Sequence, residues 1–182
     1  DLPLWKLEGS GFFTAQLERA LLDGQADLAV HSFKDLPTEE APGLRIAAVL
    51  KRSFPEDAMV CRKPADALDE IPHGARVGTS SVRRTAQLLA RRPDLDIRPI
   101  RGNVETRIRK LHEEPLDAVV LARAGLERLK ITEWNGFCFD PCQFLPAPAQ
   151  GAIAIQIRIE DKETGDLVRA VHHEATGLVT LA

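Results

Sequence analysis

The sequence contains no tyrosine, and aromatic residues make up only 5% of its 182 positions. With so few stacking side chains, a net charge of −3 and no recognition motif, the nucleic-acid-binding class is set aside. Only three cysteines occur, Cys61, Cys138 and Cys142. An odd count argues against a disulfide framework and for a reducing compartment, so a cytoplasmic location is expected. No apolar run approaches the roughly 18 residues of a transmembrane helix, which sets aside a membrane-spanning chain. The start lacks the charged region, apolar run and cleavage site of a secretory signal. Neither a Walker loop nor G-x-G-x-x-G occurs, so nothing positive points to a nucleotide. No repeat or low-complexity tract is found. Both ends, Asp1 and the apolar GLVTLA, read as cut from something longer.

What is present is ordinary globular material, 44% hydrophobic and 28% charged. Short β-branched runs alternate with segments of helical period, the pattern of an α/β fold. A helix is expected over 12–22, stopped by Gly24, and strands over 26–31, 44–50 and 57–61. A strand–loop–helix unit then recurs. Strand 75–79 leads through Ser80-Ser81, good N-caps, into a helix to about Arg92. Strand 97–100 leads through Gly102-Asn103 into a helix to about His112. Strand 117–121 leads into a helix over 124–129. Three such units imply a parallel sheet. An irregular segment spans 133–148, followed by a strand over 152–157 and a helix over about 164–173. The expected layout is two α/β lobes around a hinged cleft. The first lobe comprises residues 1–52 plus 144–160, the second 53–143, and residues 161–182 form the remainder.

The charge is concentrated. From Arg76 to Lys110 there are ten basic and three acidic residues, +7 in 35 positions, so the other 147 residues carry −10. A local basic field in an acidic protein points to a specific anionic ligand. Two arginines, Arg83 and Arg84, sit in the first turn of a helix opened by Gly78-Thr79-Ser80-Ser81. They oppose the helix dipole, and so hint at a bound anion. Arg101 and Arg107 bracket the next helix start. Parallel strands would bring these groups to one side of a sheet, as a ligand with several carboxylates or phosphates requires. In His31-Ser32-Phe33-Lys34-Asp35, directly after a strand, the Lys-Asp pair is a candidate acid–base or charge-stabilising pair, although such a pair in a loop is ordinarily solvated surface. Arg128 stands near a third strand end, and Gln150 lies where the chain returns to the first lobe. Cys138-x3-Cys142 lacks the paired histidines of a metal site, and His172-His173 read as surface or interface residues.

Read together, AVHSFKDLP, GTSSVRR, RRPDL, RGNVETR, LDAVVLARAGLERL and LPAPAQGAIAIQIR, in that order, closely resemble the porphobilinogen deaminase (hydroxymethylbilane synthase) family over nearly the whole chain. The resemblance implies three α/β domains, the first two arranged like periplasmic binding proteins around a cleft. Residues 161–182 then become the start of a small third domain. It also implies a transferase of tetrapyrrole biosynthesis that joins four porphobilinogen molecules head to tail, releasing ammonia each time, on a dipyrromethane cofactor attached to a cysteine of domain 3. On that resemblance Asp35 is the catalytic carboxylate that stabilises the azafulvenium cation and assists proton movement, with Lys34 and Lys6 lining the cleft. Thr79, Ser80 and Ser81 form an anion-binding helix start. Arg83, Arg84, Arg101, Arg107 and Arg128 pair with acetate and propionate groups, and Gln150 belongs to the interdomain strand. The substrate is a small molecule, with no nucleic-acid or membrane partner, and the protein is expected to be a monomer.

The departures are equally specific. About fifty N-terminal residues of the family have no counterpart, and the cofactor-bearing cysteine is expected beyond Ala182. None of the three cysteines matches it, so the resemblance places the cofactor attachment outside these residues. Ser10 stands where a lysine of a glycine-lysine-glycine loop is expected, and WNGFCFDPCQF is unusual. An alternative is therefore kept: a truncated or degenerate non-catalytic module that binds a carboxylate-rich ligand. No metal is expected.

Overall fold

The computed structural model describes residues 14–180. They fall into two compact units, one formed by Pro55–Ala147 and the other by residues 14–54 and 148–180, so the chain crosses at 54/55 and 147/148.

The first unit is built on a five-stranded sheet. Its strands are β3 (Asp57–Cys61), β4 (Arg76–Gly78), β5 (Asp96–Arg98), β6 (Ala118–Ala122) and β7 (Asn135–Cys138), in the order β5-β4-β6-β3-β7. The helices are α2 (Val82–Arg91), α3 (Val104–Glu113) and α4 (Arg123–Arg128). β4 is parallel to both β5 and β6, as three successive strand–helix units require. β3 is antiparallel to β6 and to β7, so the sheet is mixed rather than all parallel. Apolar residues along β3 and β6 are buried on both faces of the sheet. Met59, Ala118 and Val120 pack with Leu88 of α2 and Phe144, while Ala58, Val60, Val119 and Leu121 pack with Leu111 of α3 and Leu126 of α4. The continuous apolar runs DAMVC and AVVLA follow from that two-sided burial.

β7 was expected to be irregular. Four residues that include Asn135 and Gly136 carry little strand signal. Gly136 adopts φ +126°, and a Cβ there would lie 2.0 Å from the Met59 carbonyl oxygen, so only glycine permits the pairing with β3.

The second unit holds a three-stranded antiparallel sheet. Its strands are β1 (Leu28–Ser32), β2 (Leu44–Val49) and β8 (Ile153–Arg158), with β8 in the centre. Helix α1 (Ala15–Leu22) covers it with Leu21 against Ala29 and Leu44. Residues 161–180, expected to open a third domain, lie within this unit as α5 (Lys162–Arg169) and α6 (Glu174–Thr180). Val168 of α5 is buried with Ala48, Ile155 and Ile157. The turn before α6 is tied to β2: the Val49 amide donates to His172 Nδ1 at 3.0 Å, and the His173 amide donates to the Val49 carbonyl at 2.8 Å. The two histidines therefore join elements within the unit. Among the described residues no helix is long and apolar enough to cross a membrane.

Candidate functional site

In the five-stranded unit, β4, β5 and β6 are parallel, so their C-terminal ends lie at one sheet edge and open onto α2, α3 and α4. Such an edge is where open α/β sheets bind ligands. Asp57, the first residue of antiparallel β3, pairs with Ala122 and joins the same edge.

The Thr79-Ser80-Ser81 turn spends its hydroxyls on its own construction. Buried Thr79 accepts from the Ser81 amide at 3.2 Å. Ser80 Oγ donates to the Ile100 carbonyl at 2.8 Å and accepts from the Ile100 amide at 3.0 Å, joining the two strand ends. Ser81 is the N-cap of α2, accepting from the Arg84 amide. What the turn offers a ligand is the backbone N–H groups of α2's first turn and the positive end of its dipole. α3 starts the same way, with Asn103 Oδ1 accepting from the Thr106 amide at 2.8 Å. Gly102 makes that cap possible: at φ +116°, a Cβ would approach Thr106 Cγ2 to 2.5 Å.

The arginines divide into two kinds. Arg84 is buried, its Nε and Nη2 donating to Asp57 Oδ1 at 3.1 and 2.6 Å and its Nη1 to the Val120 carbonyl at 2.9 Å. Arg83 pairs with Asp57 Oδ2 at 2.8 Å and donates to the Leu145 carbonyl, yet keeps 25% of its side chain exposed. The anion that two first-turn arginines demanded is thus, in the first place, the protein's own Asp57. The available signal was a lone carboxylate heading an otherwise apolar strand, which cannot be buried without a partner. Arg101, by contrast, is exposed and makes no side-chain hydrogen bond or ion pair among the described residues. Arg107 Nε donates to the Gly102 carbonyl at 2.8 Å, which folds its side chain back toward the α3 start. Arg128 closes α4 largely exposed, and partial desolvation of its guanidinium draws its pKa below the ordinary arginine value. Its neighbour Arg123 is paired with Glu56 at 2.7 Å and Glu127 at 3.3 Å.

In the three-stranded unit, β1 runs into a single 3₁₀ turn, Phe33–Asp35. Buried Phe33 anchors it, its amide donating to the Ala152 carbonyl at 3.1 Å. Lys34 is half-buried, and its Nζ donates to Gln150 Oε1 at 3.4 Å. Gln150 is fully buried, and its carbonyl accepts from Arg52 Nε at 2.8 Å. Asp35 is exposed, and its side chain makes no hydrogen bond or ion pair among the described residues. A fixed lysine beside a solvent-facing carboxylate can hold an anionic group and stabilise a cationic one. His31, which precedes this turn, is buried against Gln156 at 3.1 Å, and desolvation lowers its pKa. Lys6 and Ser10 lie outside the described residues.

Cys61 and Cys138 are not built as nucleophiles. Burial pushes the Cys61 thiol up to about 11 and raises that of half-buried Cys138, while Cys142 is exposed. A thiol that stays protonated is a poor nucleophile or ligand.

The sequence model of a family described as "Porphobilinogen deaminase, dipyromethane cofactor binding domain" matches residues 1–166. Curated relatives named porphobilinogen deaminase include one from Listeria monocytogenes serotype 4a, 47% identical over 181 residues. Another, from Shouchella clausii, is 48% identical over 187 residues. They cover 98% and 100% of this chain, and the chain spans 58% of the length of each. Among solved structures, the methionine-binding protein MetQ superposes with TM-score 0.57 at 13% identity, covering 90% of this chain and 78% of that one. A TRAP periplasmic solute-binding protein from Desulfovibrio salexigens gives 0.53 at 12%, covering 96% and 61%. Likeness at that identity establishes the fold, that of periplasmic binding proteins, and nothing about the ligand.

Proposed function

The chain belongs to the porphobilinogen deaminase family, and from that premise we propose that the protein is a hydroxymethylbilane synthase. It would join four porphobilinogen molecules into a linear tetrapyrrole, with loss of ammonia at each addition. The observation that carries this reading is the strand-end edge of the five-stranded unit. There, exposed Arg101 and two capped helix N-termini supply cationic and N–H donors for a ligand that bears carboxylates.

That donor set also fits dipyrromethane, the cofactor of the family's domain, because a two-pyrrole group carries several carboxylates. Arg101, Arg107, Arg83 and the first-turn amides of α2 and α3 would hold it. Arg128 is a further donor to the same class of group. When bound, the cofactor supplies the primer to which pyrroles are joined. Arg84 acts one step back, through Asp57, by keeping the β3–α2 junction in place.

Asp35 is the reacting carboxylate in this reading. Its exposed oxygens would face the pyrrole nitrogen and stabilise the positive charge that grows as the carbon–nitrogen bond breaks and ammonia departs. Lys34, steadied by Gln150, would hold a substrate carboxylate. Lys6 is proposed for the same group of lysines. The reading also has the protein working as a cytoplasmic monomer on a small molecule, and the unpaired cysteines support the reducing compartment.

Asp35→Asn in the natural gene product tests the assignment. The variant is expected to bind porphobilinogen within severalfold of wild type while ammonia release falls by at least about a hundredfold, the scale of a lost general acid–base or charge-stabilising group. Unchanged turnover would remove Asp35 from the mechanism.

A further inference from the structure

The segment 143–145, just before the chain leaves the five-stranded unit, is held by one face of α2. Gln87 grips Leu145 with both ends of its amide. Its Nε2 donates to the Leu145 carbonyl at 3.0 Å, and its Oε1 accepts from the Leu145 amide at 2.7 Å. These are the two bonds a neighbouring strand would otherwise make. One turn earlier Arg83 donates to the same Leu145 carbonyl. One turn later Arg91 donates to the Gln143 carbonyl and lies over the Phe144 ring, 5.6 Å from its centroid. Residues four apart on a helix share a face, so 83, 87 and 91 form a single row. Leu145 itself is 62% exposed, so its backbone is fixed by the polar row together with its neighbour Phe144, which is buried in the core.

The row ends at the candidate site. A guanidinium has five N–H donors in one plane. Arg83 is held at two points, Asp57 Oδ2 and the Leu145 carbonyl, and remains partly exposed. Asp57 is fully buried and its backbone is paired with Ala122 in the sheet. The other point is the Leu145 carbonyl, next to buried Phe144, and Gln87 directs it by bonding both that carbonyl and the Leu145 amide. We infer that Gln87 is a positioning residue for the anion site: by holding the Leu145 carbonyl it sets the plane of the Arg83 guanidinium, whose remaining N–H groups take a ligand carboxylate. The inference rests on the proposed role of Arg83 in holding ligand and adds the residue that orients it.

The test is a kinetic cycle on the natural gene product with porphobilinogen as the probe, comparing wild type, Gln87→Met, Arg83→Lys and the double variant. Gln87→Met should raise KM roughly five- to tenfold through lost preorganisation and leave kcat within about twofold. The double variant should be no worse than Arg83→Lys alone, because both changes undo one interaction. A merely structural role would lower the active fraction, and so kcat, at constant KM. KM within twofold of wild type in Gln87→Met, or effects that multiply in the double variant, overturn the inference. If Gln87→Met does not yield folded protein, Gln87→Glu keeps the acceptor for the Leu145 amide, sets an oxygen against the Leu145 carbonyl in place of the donor, and carries the same expectation. Wild-type protein that releases no ammonia from porphobilinogen overturns the proposed activity and this inference with it. Active wild type with an unaffected Gln87 variant overturns this inference alone.

Discussion

Replacing Asp57 by alanine strips a buried guanidinium of its counter-charge, and the cost can be worked from the geometry. Arg84 has 6% of its side chain exposed, and two of its three hydrogen bonds end on Asp57 Oδ1. The third, to the Val120 carbonyl, carries no charge compensation. Breaking a buried pair from one side costs about 3–5 kcal/mol, and the partly exposed Arg83 contact adds no more than about 1 kcal/mol. Native proteins have only about 5–15 kcal/mol in total, so the loss is a large share. In urea, with a slope near 2 kcal/mol/M, the midpoint should fall by roughly 2 M. Asp57→Leu combined with Arg84→Met should recover most of that loss, because removing both charges of a buried pair is often neutral. A loss below about 1 kcal/mol for Asp57→Ala, or a double variant as unstable as the single, would refute the claim that Asp57 answers the α2 arginines.

Other expectations concern the ligand, acid and thiol chemistry. Arg101→Leu should weaken porphobilinogen binding by about 1.5–3 kcal/mol, the range for a hydrogen bond to a charged group, with little change in the urea midpoint because Arg101 has no internal partner among the described residues. Titration calorimetry together with denaturation separates the two quantities. The Arg92 guanidinium, and then the Gly74 amide, hold Asp94 well below the usual carboxylate range. A depressed native pKa stabilises the fold above the unfolded value, near 3.8, and that contribution fades as pH falls below it. Asp94→Asn should therefore lower the thermal midpoint at pH 7 and narrow its difference from wild type by pH 3, whereas a constant difference would contradict the pairing. With iodoacetamide at pH 8, exposed Cys142 should be labelled first and Cys61, its thiol pushed up to about 11, last. Peptide mass mapping over time reads the order.

The strand–helix units were legible because their signals are local. Ser81 and Asn103 stand one residue before their helices, and both act as caps. The apolar runs around Val60 and Val119 announced strands buried on two faces. Long-range pairings left no such mark. Arg84 lies 27 residues from Asp57 and Gln87 58 from Leu145, and nothing in either neighbourhood names the partner. Thus the basic field around α2 was visible, while the division between Arg84, consumed inside, and Arg101, left open, was not. β7 escaped for the same reason: only the edge of β3 makes Gly136 a strand residue.

The most direct measurement is the stoichiometry of ammonia released from porphobilinogen by the natural gene product. The account predicts one ammonia for every porphobilinogen consumed and a linear tetrapyrrole as the product, identified by mass. Porphobilinogen that is bound but recovered unchanged, with no ammonia, would contradict it and favour a non-catalytic module that holds a carboxylate-rich ligand.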